Sequence, residues 1–418
     1  MLKIDREESG TIQWTYFFLR CTGFSVPSDP RKDLLKWVRL WAFCVPTLAC
    51  PITFGDFYFN CYYGSFNDLC YSMINVLTNF FVMAKFYVII LKPQFPAFLQ
   101  LTRDELWGNA VTDYDREILR QCEKDTLFYL TIFSILAQSS SLAYIVEPIL
   151  FNCLNHNMTD VRERRFPLKV WYDLPIFETP NFQIFFFIQF CFIYFASIQW
   201  LAYDNYLALV NIYSAGQFKI LRKRLKDLYD KVGKDGESKK LDDHGVEDEG
   251  YLSSAIVNEF KDCITRHRFL IDVIEQLDSI YTIINLVQVV TFSLIICLVG
   301  YQLIMPGNPL FRRIKFVIYL GGCIIQLFSF AITCGNVTDA SVEVADGAYE
   351  SNWNSKNSSE RGRGLTKDLM MILVRSKTPC YLTAAGFFPV TLNVFNSTLS
   401  TAFSYLTLIR QSADKGSN

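Results

Sequence analysis

Long apolar blocks separated by polar ones divide this chain. Seven of them are long enough to cross a bilayer as helices: about Trp37 to Tyr58, Asp68 to Leu91, Leu127 to Leu150, Phe182 to Ile212, Ile280 to Met305, Ile314 to Cys334 and Phe387 to Ile409. A spanning helix needs about 20 residues. Pro46 and Pro51 predict a kink in the first. The fourth exceeds what a bilayer needs, so its end should project into water. Before the first block, Thr11 to Phe24 is amphipathic and suits the membrane interface. Between the fourth and fifth, two helical patterns flank the charged, Gly-rich linker 233–250, which reads as disordered. On the second pattern, Ile256, Phe260, Cys263, His267, Leu270, Ile274, Leu277, Tyr281 and Ile284 recur at alternating steps of three and four, as in a helical packing seam. That seam joins either subunits or parts of one subunit.

The last block differs from the rest. At 3.6 residues per turn, Asn393, Ser397, Thr401, Ser404, Leu408 and Gln411 share one sector, while Phe388, Phe395, Leu399, Ala402 and Leu406 lie opposite. A polar stripe along a membrane helix must be hidden from lipid. It is either a helix–helix seam of small hydroxyl residues or the lining of a pore, with Leu408 an apolar ring that gates by dewetting.

Composition agrees with a membrane protein. The 418 residues are 51% hydrophobic and 16% aromatic, and only 19% are charged. A net charge of −1 gives no reason to expect nucleic acid. No apolar leader is expected at the start, MLKIDREESG. With a cytosolic N-terminus, the loops on that side collect most of the forty Lys and Arg residues. The fold expected is an all-α membrane protein with seven transmembrane helices, its N-terminus cytosolic and its C-terminus extracellular. Residues 1–213 would hold helices one to four, 214–279 a cytosolic helical anchor, 280–338 helices five and six, and 339–418 a cytosolic connection and the last helix. Asn157, in the sequon Asn157-Met158-Thr159, would then be outside and open to glycosylation. Cys61 and Cys153 would lie near outer loops and can pair.

No catalytic or metal-binding constellation is present in the sequence. The thirteen Cys contain no C-x-x-C pair, and the three His are scattered. The expectation is no enzyme and no cofactor.

The run AYESNW at 348–353, then Leu369-Met370, Arg375-Ser376 and Pro379, the block LTAAGFFPVTL and the run AFSYLTLIRQ resemble the C-terminal signature of insect odorant receptors. The resemblance implies a seven-helix, odorant-gated cation channel subunit of the plasma membrane. It also implies a hetero-oligomer, a tetramer, built with a shared co-receptor. The co-receptor has a longer loop between spans four and five, so this chain reads as the ligand-tuned subunit. Gustatory-type relatives end in a Thr-Tyr, five residues, Gln-Phe word. Ser404-Tyr405 and Gln411-Ser412 depart from it at two positions. A G-protein-coupled receptor and a transporter are further alternatives, but the chain shows no N-P-x-x-Y word and no inverted repeat.

The resemblance also implies an odorant pocket in the outer half of spans two, three, four and six. The faces expected to line it are Met73, Leu77, Phe80 and Phe81; Ala137, Ser140 and Tyr144; Phe187, Ile188 and Cys191; and Ile318, Tyr319 and Gly322. The alternative for each is lipid contact or core packing. Lys85 and Glu147 are expected at membrane interfaces, Lys85 by snorkelling. The outer halves of spans two to four would then hold no buried charge, which suits a small, volatile, neutral ligand. Ser397, Thr401, Ser404, Leu408 and Gln411 would line the pore.

Overall fold

A computed structural model of the chain describes residues 10–107, 112–154, 164–169, 176–228, 249–305, 309–351 and 360–416. The helices are α1 (Gly10–Cys21), α2 (Lys32–Tyr63), α3 (Phe66–Ile90), α4 (Phe95–Leu101), α5 (Asp113–Leu154), α6 (Asn181–Lys226), α7 (Glu249–Ile304), α8 (Leu310–Glu350), α9 (Glu360–Ser376) and α10 (Leu392–Gly416). Six of them, α2, α3 and α5 to α8, are long and apolar enough to cross a membrane. The chain is an all-α, multi-pass membrane protein. The 25 residues of α10 are also sufficient in length, but its polar stripe lowers its hydropathy below that of the other six.

α6 is the axis of the bundle. From Leu201 to Phe218 its residues are buried almost without a break, because α1, α5, α7 and α8 surround it. Ion pairs tie its C-terminal end to neighbours: Arg224 to Asp115 of α5 at 2.7 Å and Arg222 to Glu343 of α8 at 2.9 Å. α1 packs Ile12, Tyr16 and Leu19 inward, and Tyr16 donates to the Leu99 carbonyl at 3.2 Å. Its Trp14 and Phe17 stay exposed.

α2 runs unbroken through Pro46 and Pro51. A helical proline leaves the carbonyl four residues back without its donor. For Pro46 that carbonyl is Ala42, and Gln199 of α6 donates to it at 2.7 Å. The irregularity is thus satisfied from a neighbouring helix.

The second helical pattern after the fourth span and the fifth span are one helix, α7, of 56 residues. Its heptad stripe packs inside the chain: Phe260, Cys263, His267, Leu270, Ile274, Leu277, Tyr281 and Ile284 are all at most 5% exposed. His267 meets the Phe218 ring edge-on, and Tyr281 donates to the Tyr203 carbonyl at 3.1 Å. Burial, with a smaller contribution from Arg375, pulls His267 down to about 4. This seam is packing within one subunit.

The last helix starts later than the apolar pattern suggests. Thr383–Ala384 and Phe388–Pro389 form an antiparallel hairpin, here β1 and β2. Its turn places Ala385 at φ 50° and Gly386 at φ 75°, the left-handed pair that tight hairpins favour. The hairpin is clamped to α7. Asp278 accepts from the Thr383 backbone at 2.6 Å, and Ala385 N–H donates to the Thr282 carbonyl at 2.8 Å. Residues 387–391 therefore belong to this clamp, and α10 begins at Leu392. Cys61 and Cys153 are free thiols. Asn157 and most of linker 233–250 lie outside the described residues.

Candidate functional site

Between α3, α5, α6 and α8 the helices part to enclose a cavity of about 140 Å³. Its apolar wall comes from Phe133, Leu136 and Ala137 on α5 and Phe192, Ile193 and Ala196 on α6. α3 supplies Asn75, Thr78, Asn79 and Val82, which follow i, i+3, i+4, i+7 and so share one face. α8 supplies Tyr319, Gly322, Cys323 and Gln326. A dry cavity of about 150 Å³ accommodates a benzene ring, so the space fits a one-ring molecule.

One end of the cavity is closed by a buried ion pair. Lys85 Nζ lies 2.5 Å from Asp204 Oδ1, and both side chains are almost fully buried. Gln326 Nε2 donates to the other carboxylate oxygen. Trp200 Nε1 in turn donates to Gln326 Oε1 at 2.8 Å. The Lys85 ammonium also stands 4.1 Å from the Phe81 ring centroid. A buried pair is tolerable only when such extra bonds satisfy it. This corrects the snorkelling expectation for Lys85: it is 1% exposed and paired inside the bundle.

Near the opposite end sits a second charge cluster. Glu147 pairs with Lys315 and lies 3.5 Å from Arg312. Lys315 is 1% exposed, and its ammonium lies 4.4 Å from the Tyr144 ring centroid. Glu147 is therefore not an isolated interface residue but one partner in an ion-pair cluster.

Of the residues singled out from sequence, Ala137, Ser140, Tyr144, Tyr319 and Gly322 line the cavity. Phe81 is fully buried behind it, 4.8 Å from the Trp200 ring. Leu77 packs against the core, and Met73 and Ile318 are half-buried and do not border the space. Phe80, Phe187, Ile188 and Cys191 point out of the bundle. Phe187, Phe190 and Tyr194 stack as an outward ladder at 6.2 and 6.3 Å. The inward face of α6 lies one residue further on, at Phe192. An apolar residue facing lipid and one facing a cavity look alike in composition, which is why the sequence pattern misplaces the phase. Sequence reasoning does not find Asn75, Asn79, Trp200, Asp204 or Gln326. A readable hint exists: Lys85 and Asp204 are opposite charges inside two apolar spans, and such charges pair.

α10 presents two faces. Phe395, Leu399 and Leu406 pack on the core and Ala402 is 1% exposed. Phe395 meets Phe328 of α8 at 5.4 Å, and Leu406 abuts Gly300 of α7. Asn393, Ser397, Thr401, Ser404, Leu408 and Gln411 are all exposed on the side away from the bundle.

Residues 65–403 match the family model described as 7tm Odorant receptor. Among curated relatives, Odorant receptor Or2 of Anopheles gambiae is 23% identical over 236 residues, 56% of this chain and 58% of that protein. Odorant receptor 22b of Drosophila melanogaster is 27% identical over 194 residues, 46% of this chain and 43% of that protein. The chain thus spans about half the length of the curated relatives it matches. The solved structure of the olfactory receptor OR5 of Machilis hrabei in complex with eugenol superposes with a TM-score of 0.75 at 16% identity, covering 96% of this chain and 97% of that one. The likeness of fold covers nearly all of both chains, and the family model covers most of this one: the chain belongs to the insect odorant receptor family, a family of receptors and not of enzymes.

Proposed function

We propose that this chain is the odorant-tuned subunit of a ligand-gated, non-selective cation channel in the plasma membrane. A co-receptor subunit completes a hetero-oligomer, a tetramer. Small volatile molecules bind in the cavity between α3, α5, α6 and α8, and α10 lines the pore. The N-terminus is cytosolic and the C-terminus extracellular, which places the cavity in the outer half and the start of α7 in a cytosolic anchor.

The observation that carries this reading is the division of α10. Its apolar face rests on α7 and α8, while Asn393, Ser397, Thr401, Ser404, Leu408 and Gln411 face away from the subunit. Such a stripe suits water rather than lipid. Around an axis of several subunits the hydroxyls make a wettable wall, and Leu408 makes a dry constriction that ions cannot pass. Ligand binding then shifts the population toward a packing in which that ring is wet. Gln411, one turn beyond, faces permeating cations. The competing reading is a dry seam between subunits.

The test is recording from cells expressing the chain alone and with a co-receptor. The proposal predicts ligand-evoked cation current only on co-expression, and a raised resting current for Leu408→Ser. Robust evoked current from the chain alone contradicts the tuned-subunit assignment. A Leu408→Ser channel with normal conduction and reduced surface expression favours the seam.

A further inference from the structure

The two polar ends of the cavity differ in one respect. At the Asp204 end the groups satisfy one another: one carboxylate oxygen takes Lys85, the other takes Gln326, and the Gln326 carbonyl takes Trp200. The end bounded by Asn75, Tyr144 and Tyr319 is not closed in this way. Thr78 has one hydroxyl proton, and it goes to the Ile74 carbonyl at 2.7 Å. The 2.7 Å contact between Thr78 and Tyr319 must therefore use the tyrosine proton. That leaves the Tyr319 oxygen as an acceptor. Asn75 is 8% exposed, borders the cavity, and makes no side-chain hydrogen bond among the described residues. Its amide carries both donors and an acceptor. Asn75 lies one turn before Thr78 on the same face of α3, Thr78 touches Tyr319, and the Tyr144 ring lies 6.2 Å from that of Tyr319, so these groups border one part of the cavity.

We infer that Asn75 is a specificity-determining residue that reads an oxygen-bearing head group, so that the chain prefers one-ring alcohols, phenols and carbonyl compounds over hydrocarbons of the same size. The inference rests on the cavity being the ligand site. A buried amide needs a partner. A ligand oxygen supplies it while the ring packs against Phe133, Leu136, Phe192 and Ile193. A hydrocarbon must displace water from this part of the cavity without replacing its bonds, which loses affinity. One neutral hydrogen bond gained in the complex strengthens binding by up to about tenfold.

The experiment uses the full-length chain purified in detergent and measures ligand-induced thermal stabilisation. The probes are benzyl alcohol, acetophenone and ethylbenzene, applied to wild type, Asn75→Leu, Asn75→Thr and Ala137→Trp. In wild type, the two oxygenated compounds should half-saturate at a concentration about tenfold lower than ethylbenzene. Asn75→Leu should raise their half-saturation about tenfold while ethylbenzene binds as well as or better than before, so the preference disappears, and stabilisation by ethylbenzene shows that the variant is folded. Asn75→Thr, with a hydroxyl in place of the amide, should keep part of the preference and serves if the leucine variant does not fold. A preference unchanged in both Asn75 variants, or absent in wild type, overturns the inference. Ala137→Trp fills the cavity and should abolish binding of all three. Binding that survives it, or binding by none of the probes to wild type, overturns the cavity reading itself.

Discussion

Lys85 of α3 and Asp204 of α6 form an ion pair inside the bundle, Nζ to Oδ1 2.5 Å, with side chains 1% and 8% exposed. Breaking a buried pair by removing one partner leaves an uncompensated charge and typically costs about 3–5 kcal/mol. Lys85→Met alone should therefore sharply lower the unfolding temperature and surface expression. Lys85→Met with Asp204→Asn removes both charges and keeps an acceptor for Gln326, so it should recover most of the loss. A double variant no more stable than the single one would show that the pair does not act as a unit.

Glycines at three helix contacts give graded expectations. A Cβ on Gly322 meets only Leu136 Cβ, at 3.9 Å, so Gly322→Ala should be tolerated and gain up to about 1 kcal/mol of helix stability. The added methyl enters the cavity, so its cost should fall on the largest ligands. A Cβ on Gly347 would collide with the Arg222 carbonyl oxygen, where α8 crosses α6. Gly347→Ala should fail to reach the cell surface. Thermal unfolding and surface labelling of the two variants check the contrast.

Gly300 offers a direct handle on α10. Leu406 Cδ2 would sit 3.0 Å from a Cβ added there, tighter than ordinary packing. Gly300→Ala should push on Leu406 and displace α10 outward from α7. The expected readout is an altered resting current or a shifted ligand concentration for half activation, at near-normal surface expression. Unchanged gating would mean that the α7–α10 contact does not bear on the pore.

How much of this is legible in the sequence depends on what signal each feature carries. The spanning helices are readable from apolar length, and the two faces of α10 from its 3.6-residue period. The hairpin before α10 is hidden because Phe387, Phe388, Val390 and Leu392 read as a continuous apolar run. Yet Ala385-Gly386 and Pro389 carry turn chemistry that a helix would not use. The Lys85–Asp204 pair joins residues 119 positions apart, a proximity no local pattern encodes. The cavity faces of α3 and α6 escape for another reason. On α3 the face is marked by Asn75, Thr78 and Asn79, polar residues at helical spacing that a search for apolar lining passes over, whereas α6 is apolar nearly all round in this region, so periodicity does not separate an outward-facing Phe187 from a cavity-facing Phe192.

His267 gives a pH dependence with a definite sign. Its folded value, about 4, lies below the unfolded value of about 6.5. The unfolded chain therefore binds the proton first, and stability contributed by the neutral side chain is complete above pH 6.5. It is lost as pH falls toward 4. Detergent-purified protein should unfold at progressively lower temperature across that window, and His267→Gln should flatten the slope. Equal slopes for both proteins would count against a neutral, buried His267.

The central claim is that the exposed face of α10 is a pore wall, and cysteine accessibility tests it most directly. Single cysteines are placed at positions 393 to 411 and probed with a water-soluble thiol reagent during recording from the co-expressed channel. The account predicts that modification alters current at Ser404, Leu408 and Gln411 and leaves it unchanged at Leu399, Ala402 and Leu406, which pack against the bundle. Modification confined to the second set, or equal on both faces, would contradict a pore on this face of α10.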